Sequence, residues 1–542
     1  MTRTLYAGGT VVTNLAALPV TDAIAVADGR VVAIGDEARG WSADWDEVVD
    51  LRGRCVVPGC RDGHAHPVHA GEELLSLNLA PLGTVDEVIA AVRDWAASHP
   101  PVPGDEWIVG GSYISSILPD GVGDAEWLDA ICPDRPVALF SNDHHVMWAN
   151  SRALALAGID AATPEPATGQ IVRRADGSPI GTLREFGAIE LVERVMPAPD
   201  PVRTRAGLDV ALGELASRGI VWVQDAIVDD AVLAAYLAGA EAGELTCRFN
   251  AAFRAEPGRW LAQRDRFVAS RARVRTHEAA SGWVTANTVK FFADGVIEAG
   301  TGFLVEPYED APHSCGLPNW TPAELDEAVR MFDADGFQIH IHAIGDGGVR
   351  MALDAIEHAA RLNGPADRRP VIAHTQLVHP DDRPRFAALG VVANFEPLWA
   401  QLDPVMLELT IPRLGAARSA LQYPIGSLVA SGARVSFGSD WPVTTVNPLD
   451  GLGVAVTRQT ADGRPVEGWC PDERVPMLTA IAAYTAGSAH QAFDDDRTTL
   501  GVGAPADLVV LAADITAIDG NEARDVSVDR TVVNGRVVHR TT

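Results

Sequence analysis

Seven residues of this chain have the types and spacing to do chemistry together. His64 and His66 stand two apart in "RDGHAH", and His340 and His342 stand two apart in "FQIHIHAIGD". On a strand, positions i and i+2 point to one face. His374 ends "PVIAH", and Asp440 follows "SFGS". Five of the 15 histidines therefore fall in three short apolar runs. Neutral imidazoles and a carboxylate on one wall are a ligand set for a borderline divalent cation such as Zn²⁺. Each feature alone has a plainer role: a histidine in an apolar strand is usually a core residue, and Asp before Trp-Pro opens turns. The combination, in this strand order, specifies a metal site.

The seventh residue is Lys290, in "NTVKFFADG" (287–295). It is the single lysine among 43 basic residues, the others all being arginine. A guanidinium cannot lose its proton in a protein, whereas a buried amine can. A neutral lysine amine takes up carbon dioxide to give a carbamate whose two anionic oxygens can bridge two cations. A lysine whose stem lines the core, or an unmodified amine beside a single metal, leaves the same trace in sequence.

These residues need a scaffold. The chain has 542 residues, 47% of them hydrophobic and 21% charged, an ordinary globular composition with enough apolar material for a large core. Its net charge of −30 argues against nucleic acid or an anionic membrane surface as a partner. No apolar run is long enough to span a membrane, and the start lacks a secretory pattern. The six cysteines (55, 60, 132, 247, 315, 470) show no CxxC pair and read as reduced thiols of a cytoplasmic protein. Cys55 and Cys60 lie close to the first histidine pair, where core packing is the simpler role than metal ligation.

Eight strand-like runs alternate with helical stretches: 53–66, 219–226, 247–253, 288–295, 337–346, 370–378, 391–399 and 434–443. Thr321, Pro322 and Glu324 form a helix start between two of them. Near-continuous apolar strands alternating with helices specify a parallel (β/α)₈ TIM barrel, whose chemistry sits at the C-terminal strand ends. About 150 residues separate the first two strands, far more than a βα connection needs. The excess, at about 70–215, reads as a subdomain inserted at the barrel mouth, with its own capped helix at Thr84 to Glu87. Both termini carry hairpin signals, at Asp28-Gly29 and Asn534-Gly535. They specify a composite β-sandwich built from 1–57 and 491–542, with the hydrolase barrel over 58–490.

With these motifs in place, the sequence resembles the metal-dependent amidohydrolase superfamily, in the branch that includes N-substituted formamide deformylases. The resemblance rests on "VVPGCRDGHAH", "VKFFADGVIE", "IHAIGD", "AHTQLVHPDD", "ANFEPLWA", "FGSDWPV", "DHHVMWANS" and "ADLVVL", in the family order and over nearly the whole chain. It implies His64 and His66 on one metal, His342 and His374 on another, Lys290 as a carboxylated bridge, and Asp440 as metal ligand and proton shuttle. Two divalent ions, Zn²⁺ first, and carbon dioxide on Lys290 are the implied cofactors. His340 matches no ligand position. The sixth-strand motif often has Glu before its histidine; here that position is Ala373.

The chemistry that follows is hydrolysis of a C–N bond in an amide, N-substituted formamide or related cyclic amide or carbamate. Metal binding brings the pKa of water toward neutrality. Asp440 takes the proton and returns it to the departing nitrogen. His145, in the insertion, is a candidate donor to the substrate carbonyl, and Glu185 a weaker candidate at the same mouth. Trp148, Trp399 and Trp441, with Phe395, are candidate walls for an apolar or aromatic small molecule. Rival readings are a mononuclear deaminase of a heterocycle, which would not need Lys290, and a non-catalytic scaffold relative, which usually shows lost ligands. There is no nucleophile elbow and no Walker A loop. A homodimer fits barrel enzymes of this size.

Overall fold

The computed structural model describes residues 3–40, 45–101, 106–198 and 200–541. Its central sheet is eight parallel strands: β1 (Cys60–Ala65), β2 (Ile220–Asp225), β3 (Arg248–Arg254), β4 (Val284–Phe292), β5 (Gln338–Ala343), β6 (Val371–His374), β7 (Val392–Phe395) and β8 (Arg434–Phe437). They pair in chain order from β1 to β8. All eight runs read from sequence are present. Their residues are buried almost throughout, which is why they read as continuous apolar runs rather than alternating ones.

The barrel is nearly closed. No strand ladder joins β8 to β1; side chains stitch them, with two backbone bonds just past β8, from Asp440 N to His64 O and from His66 N to Trp441 O. Asp62 accepts from the backbone amide of Ser439 (3.0 Å) and its hydroxyl (2.5 Å). Gln491 donates to the Gly63 carbonyl (2.7 Å) and accepts from Ser436 Oγ (2.6 Å). A Cβ on Gly63 would lie 2.5 Å from Asn394 Nδ2, so glycine alone fits there. The "DGH" of β1 is thus a clamp, a close approach and a site residue in succession.

The run 53–66 proves to be two strands. Cys55–Pro58 belongs to the terminal sheet, pairing with Thr4–Leu15 and Leu508–Leu511, and the chain passes into the barrel at Gly59. Pro58 cannot donate to a ladder, so the first sheet ends there. Both chain ends contribute to this one hydrogen-bonded sheet, which forks at Thr4–Leu15. Its hairpins turn at Asp28-Gly29 (φ 52° and 77°) and Asn534-Gly535 (φ 49° and 75°), the positive pair a type I′ turn requires.

Between β1 and β2 lies a six-stranded sheet running from Leu77 to Arg184, with its own apolar core around Val88, Leu139 and Trp148. Thr84 caps the helix Val85–Ser98 by accepting from Glu87 N, and Thr321 does the same for Pro322–Ala334. The stem is the helix pair Pro67–Leu74 and Pro201–Ser217, so close that a Cβ on Gly71 would lie 1.9 Å from Gly207 O. Among the described residues no helix is long and apolar enough to cross a membrane. The six cysteines are free thiols. Burial pushes Cys55 and Cys60 up to about 12, so these two pack as neutral side chains.

Candidate active site

The C-terminal strand ends bring six of the sequence-selected residues around one point. His64 Nε2 lies 3.2 Å from Lys290 Nζ and 3.4 Å from Asp440 Oδ1, and His66 Nε2 lies 3.1 Å from the same oxygen. The ring centres of His374 and His64 are 4.7 Å apart, and those of His342 and His374 are 4.6 Å apart. Ligand atoms of His64, His374 and Asp440 all fall within 4.8 Å of one another.

Hydrogen bonds fix which nitrogen each imidazole offers. His64 Nδ1 is 2.9 Å from His340 Nε2, leaving its Nε2 for the centre. His340 thus orients His64. His374 Nδ1 is 2.8 Å from Glu396 Oε2, again freeing Nε2. His342 Nε2 faces the Gly295 carbonyl at 3.1 Å, which leaves Nδ1. A carboxylate or carbonyl behind a histidine is the usual support of a metal ligand. Glu396, at the end of β7, occupies the supporting role behind His374 that Ala373 cannot.

Electrostatics match. Burial, then the Lys290 amine, keeps His64 well below its ordinary value; burial brings His66 down to about 4; His340 and His342 are lowered well below theirs by burial. These imidazoles are neutral and carry free lone pairs. Burial also brings the Lys290 amine down to about 7. Asp440 holds to about 2: burial opposes this, but His66 and the neighbouring histidines overcome it. Asp440 Oδ1 accepts no well-aligned hydrogen bond despite its near neighbours. Imidazole nitrogens and a carboxylate oxygen crowded this closely are a cradle for a cation, so the residues fit a divalent metal.

The backbone at the site is held in sparsely populated conformations. His374 (φ 73°), Asp440 (φ 52°), Glu185 (φ 63°) and His144 (φ 59°) are all left-handed. Each costs about 1–3 kcal/mol and persists only where the surroundings enforce it. At Asp440 that enforcement is its amide donating to His64 O at 2.7 Å.

The insertion supplies the opposite wall. His145 Nδ1 is 2.7 Å from Glu185 Oε2, and Thr301 donates to the other Glu185 oxygen. Burial opposes charge on His145, but Glu185 raises it to about 9, so it is an imidazolium. Its ring centre lies 5.1 Å from that of His342. Glu185 therefore positions His145 rather than lining the cavity. Trp399 stacks on His374 with 7° between planes and lines the mouth. Trp148 does not: it is fully buried in the insertion core and donates to Asp124 O. Trp441 lies in a neighbouring groove with Glu73 and Val405, and Phe395 is buried in the barrel core.

The mouth opens into two joined cavities, of about 180 and 80 Å³. Phe140, Phe186, Phe292, Ile189 and Arg254 line the larger. Glu298, Asp403, Thr410, Tyr423 and Trp399 line the smaller. Apart from Trp399, sequence reasoning missed all of these, and Glu396 as well. The lone acid closing the apolar run "VVANFE" was the available signal for Glu396. The rest are gathered from separate loops.

A profile described as the amidohydrolase family matches residues 47–539. The Arabidopsis thaliana protein LONG AFTER FAR-RED 3 is 31% identical over 524 residues, covering 94% of this chain and 87% of that protein. The N-substituted formamide deformylase of Arthrobacter pascens is 27% identical over 538 residues, covering 95% and 94%. Among solved structures, an uncharacterized metal-dependent hydrolase from Pyrococcus horikoshii superposes with a TM-score of 0.72 at 22% identity, over 96% of this chain and 99% of that one; this likeness concerns the fold.

Proposed function

As this chain belongs to the amidohydrolase family and is a hydrolase of carbon–nitrogen bonds, we propose that it cleaves an amide, N-substituted formamide or related cyclic amide or carbamate of a small apolar or aromatic molecule. The observation that carries this reading is the buried cluster of His64 Nε2, His66 Nε2, Lys290 Nζ and Asp440 Oδ1 at 3.1–3.4 Å separations.

His64 and His66 would hold one divalent cation, and His342 and His374 a second, with Zn²⁺ the best match to this donor set. Lys290 would lie between them as a carbamate, its nitrogen bonded to the carbon of carbon dioxide and one proton released. Bound cations would supply an acidified water and a polarised substrate carbonyl. Asp440, ionised at neutral pH, takes the proton of the attacking water and returns it to the leaving nitrogen, so that water adds across the C–N bond. The His145 imidazolium, held by Glu185, donates to the carbonyl oxygen as charge builds there. Phe186 and Phe292 give the apolar wall.

A second reading has its own observation. Among the described residues, His64, His374 and Asp440 alone converge within 4.8 Å, which suits a single cation and a deaminase of a heterocycle. Elemental analysis separates the two, on wild type and Lys290→Ala purified with zinc and bicarbonate. Two metals per wild-type chain, falling to one or none in the variant, is the expected result. One metal in both would end the bridged reading and leave the deaminase. Formamides of aromatic amines are the first substrates to assay, by release of amine.

A further inference from the structure

The two cavities of the mouth share Asp143, His145, His342, His374, Asp440 and Val443, so they are lobes of one site. Their remaining walls differ in charge. The larger lobe is aromatic and carries one cation, Arg254, whose guanidinium sits 4.0 Å over the Phe186 ring, against one acid of its own, Glu193. Beside Asp440, the smaller lobe has three carboxylates, Glu298 and Asp403 of its own and Asp143 at the shared boundary, and no arginine lines it.

We propose that the smaller lobe binds a positively charged ammonium group of the substrate, so that the enzyme acts on amides carrying a second, protonated amine. The inference rests on the reading of the mouth as a C–N hydrolase site and adds a substrate class to it.

Three observations point this way. First, none of the three carboxylates forms an ion pair with an arginine among the described residues. Asp143 accepts from the His145 amide at 2.9 Å and from the Ser141 hydroxyl, and Asp403 from the Met406 amide at 2.8 Å; the cationic ring facing them, His145, is already bonded to Glu185. Arg413, the nearby cation, donates to the Glu298 backbone carbonyl at 3.1 Å and pairs with Asp310. Burial, then Asp143, pushes the Glu298 carboxyl up to about 7; a bound cation is what would hold it ionised.

Second, Thr410 is 1% exposed, lines this lobe, and its hydroxyl has no hydrogen-bond partner. It ends the five-residue π-turn Met406–Thr410, a backbone form concentrated at functional sites. An unpaired buried hydroxyl costs about 1–3 kcal/mol and needs a reason. An ammonium N–H directed at its oxygen provides one.

Third, the lobe has aromatic walls, Trp399 and Tyr423, whose ring faces attract an organic cation. A metal ion is the poorer occupant. His64, His374 and Asp440 are the only described set of three or more such ligands that converges within 4.8 Å. Asp143, Glu298 and Asp403 do not form such a converging set, whereas an ammonium, bound by separate N–H bonds and by charge, does not need one.

The test uses zinc-loaded enzyme and a matched pair of formamides, of 4-(aminomethyl)benzylamine and of neutral 4-ethylbenzylamine. Wild type should favour the cationic substrate in kcat/KM by about tenfold or more, and Glu298→Gln should bring that ratio toward one. Binding of benzylammonium, read by calorimetry, gives a measure independent of turnover; Glu298→Gln should weaken it by a similar factor. Hydrolysis of both formamides at equal kcat/KM, with no ammonium binding, would overturn the lobe and leave the hydrolase reading standing. Ammonium binding lost in Glu298→Gln, without hydrolysis of either formamide, would support the lobe and tell against the proposed bond. A further zinc that Glu298→Gln removes would also overturn the inference, by making the lobe a metal site.

Discussion

At the base of the barrel, facing the terminal sheet, Arg248 grips Asp507 with two nitrogens at 2.9 and 3.1 Å, Arg497 adds a third bond at 2.6 Å, and Arg61 pairs with Asp494. Around Lys290 and Asp440 at the mouth, equally buried charge is arranged without such arginine pairs, the His145–Glu185 pair lying on the opposite wall. Lys290 faces a neutral histidine, and Asp440 Oδ1 crowds two imidazole nitrogens without an aligned hydrogen bond. The base uses a group that cannot change protonation state; the mouth uses groups that can. Charge serving structure is paired in place, while charge serving chemistry is left to be completed by what binds. The single lysine, among 42 arginines, stands on the unpaired side of this division.

The contrast breaks most sharply at Asp440. Asp440→Asn should lower turnover by about 10²–10⁴-fold, the usual worth of a placed proton carrier, with thermal stability unchanged or raised. Steady-state kinetics alongside a melting curve measure both, and turnover within tenfold of wild type would remove Asp440 from proton transfer. Glu396→Gln is expected to weaken zinc binding by about 10–100-fold, because the amide is a poorer acceptor for His374 Nδ1. Competition against a chromophoric chelator reads it; unchanged affinity would make Glu396 a packing residue. His145→Ala should cut turnover about tenfold or more while the metals stay bound, since it removes one oxyanion donor and no ligand. Loss of metal along with activity would instead make His145 part of the metal site.

Much of this contrast was legible in the sequence. The strand runs stood out because both faces of each strand are buried, and the hairpins because Asp-Gly and Asn-Gly supply positive φ. The histidines could be grouped because strand order sets which ends meet at a barrel mouth. What stayed hidden was brought together only by tertiary packing. Glu396 substitutes from β7 for an acid that β6 lacks, and no local pattern in "AHTQ" announces it. His340 had no role until its contact with His64 Nδ1 placed it behind that ring. Trp148 is a candidate wall in sequence as one of the aromatics among the motifs, but it is buried in the insertion core, where its indole donates to Asp124 O. The acids of the smaller lobe come from three separate segments, so no window of sequence contains them.

The base gives the converse prediction. Arg248→Met leaves Asp507 only 8% exposed in side chain with Arg497 as its remaining cation, so stability should fall by about 3–5 kcal/mol while turnover per folded molecule hardly changes. Burial works against the charge on Asp507, yet Arg248 and Arg497 hold its carboxyl below the usual range. A lowered folded-state pKa contributes stability that is present above the unfolded value of about 3.9 and lost as pH falls. The gap between wild type and variant should therefore be full near neutrality and narrow in acid, where Asp507 is protonated in both. Replacing both partners, as Arg248→Met with Asp507→Leu, should recover much of the loss, because apolar groups of similar volume avoid the desolvation that a lone carboxylate suffers. Urea titrations at two pH values measure all three. If Arg248→Met instead lowered turnover per folded molecule tenfold, the base would share in the chemistry, and the division between paired structural charge and open functional charge would fail.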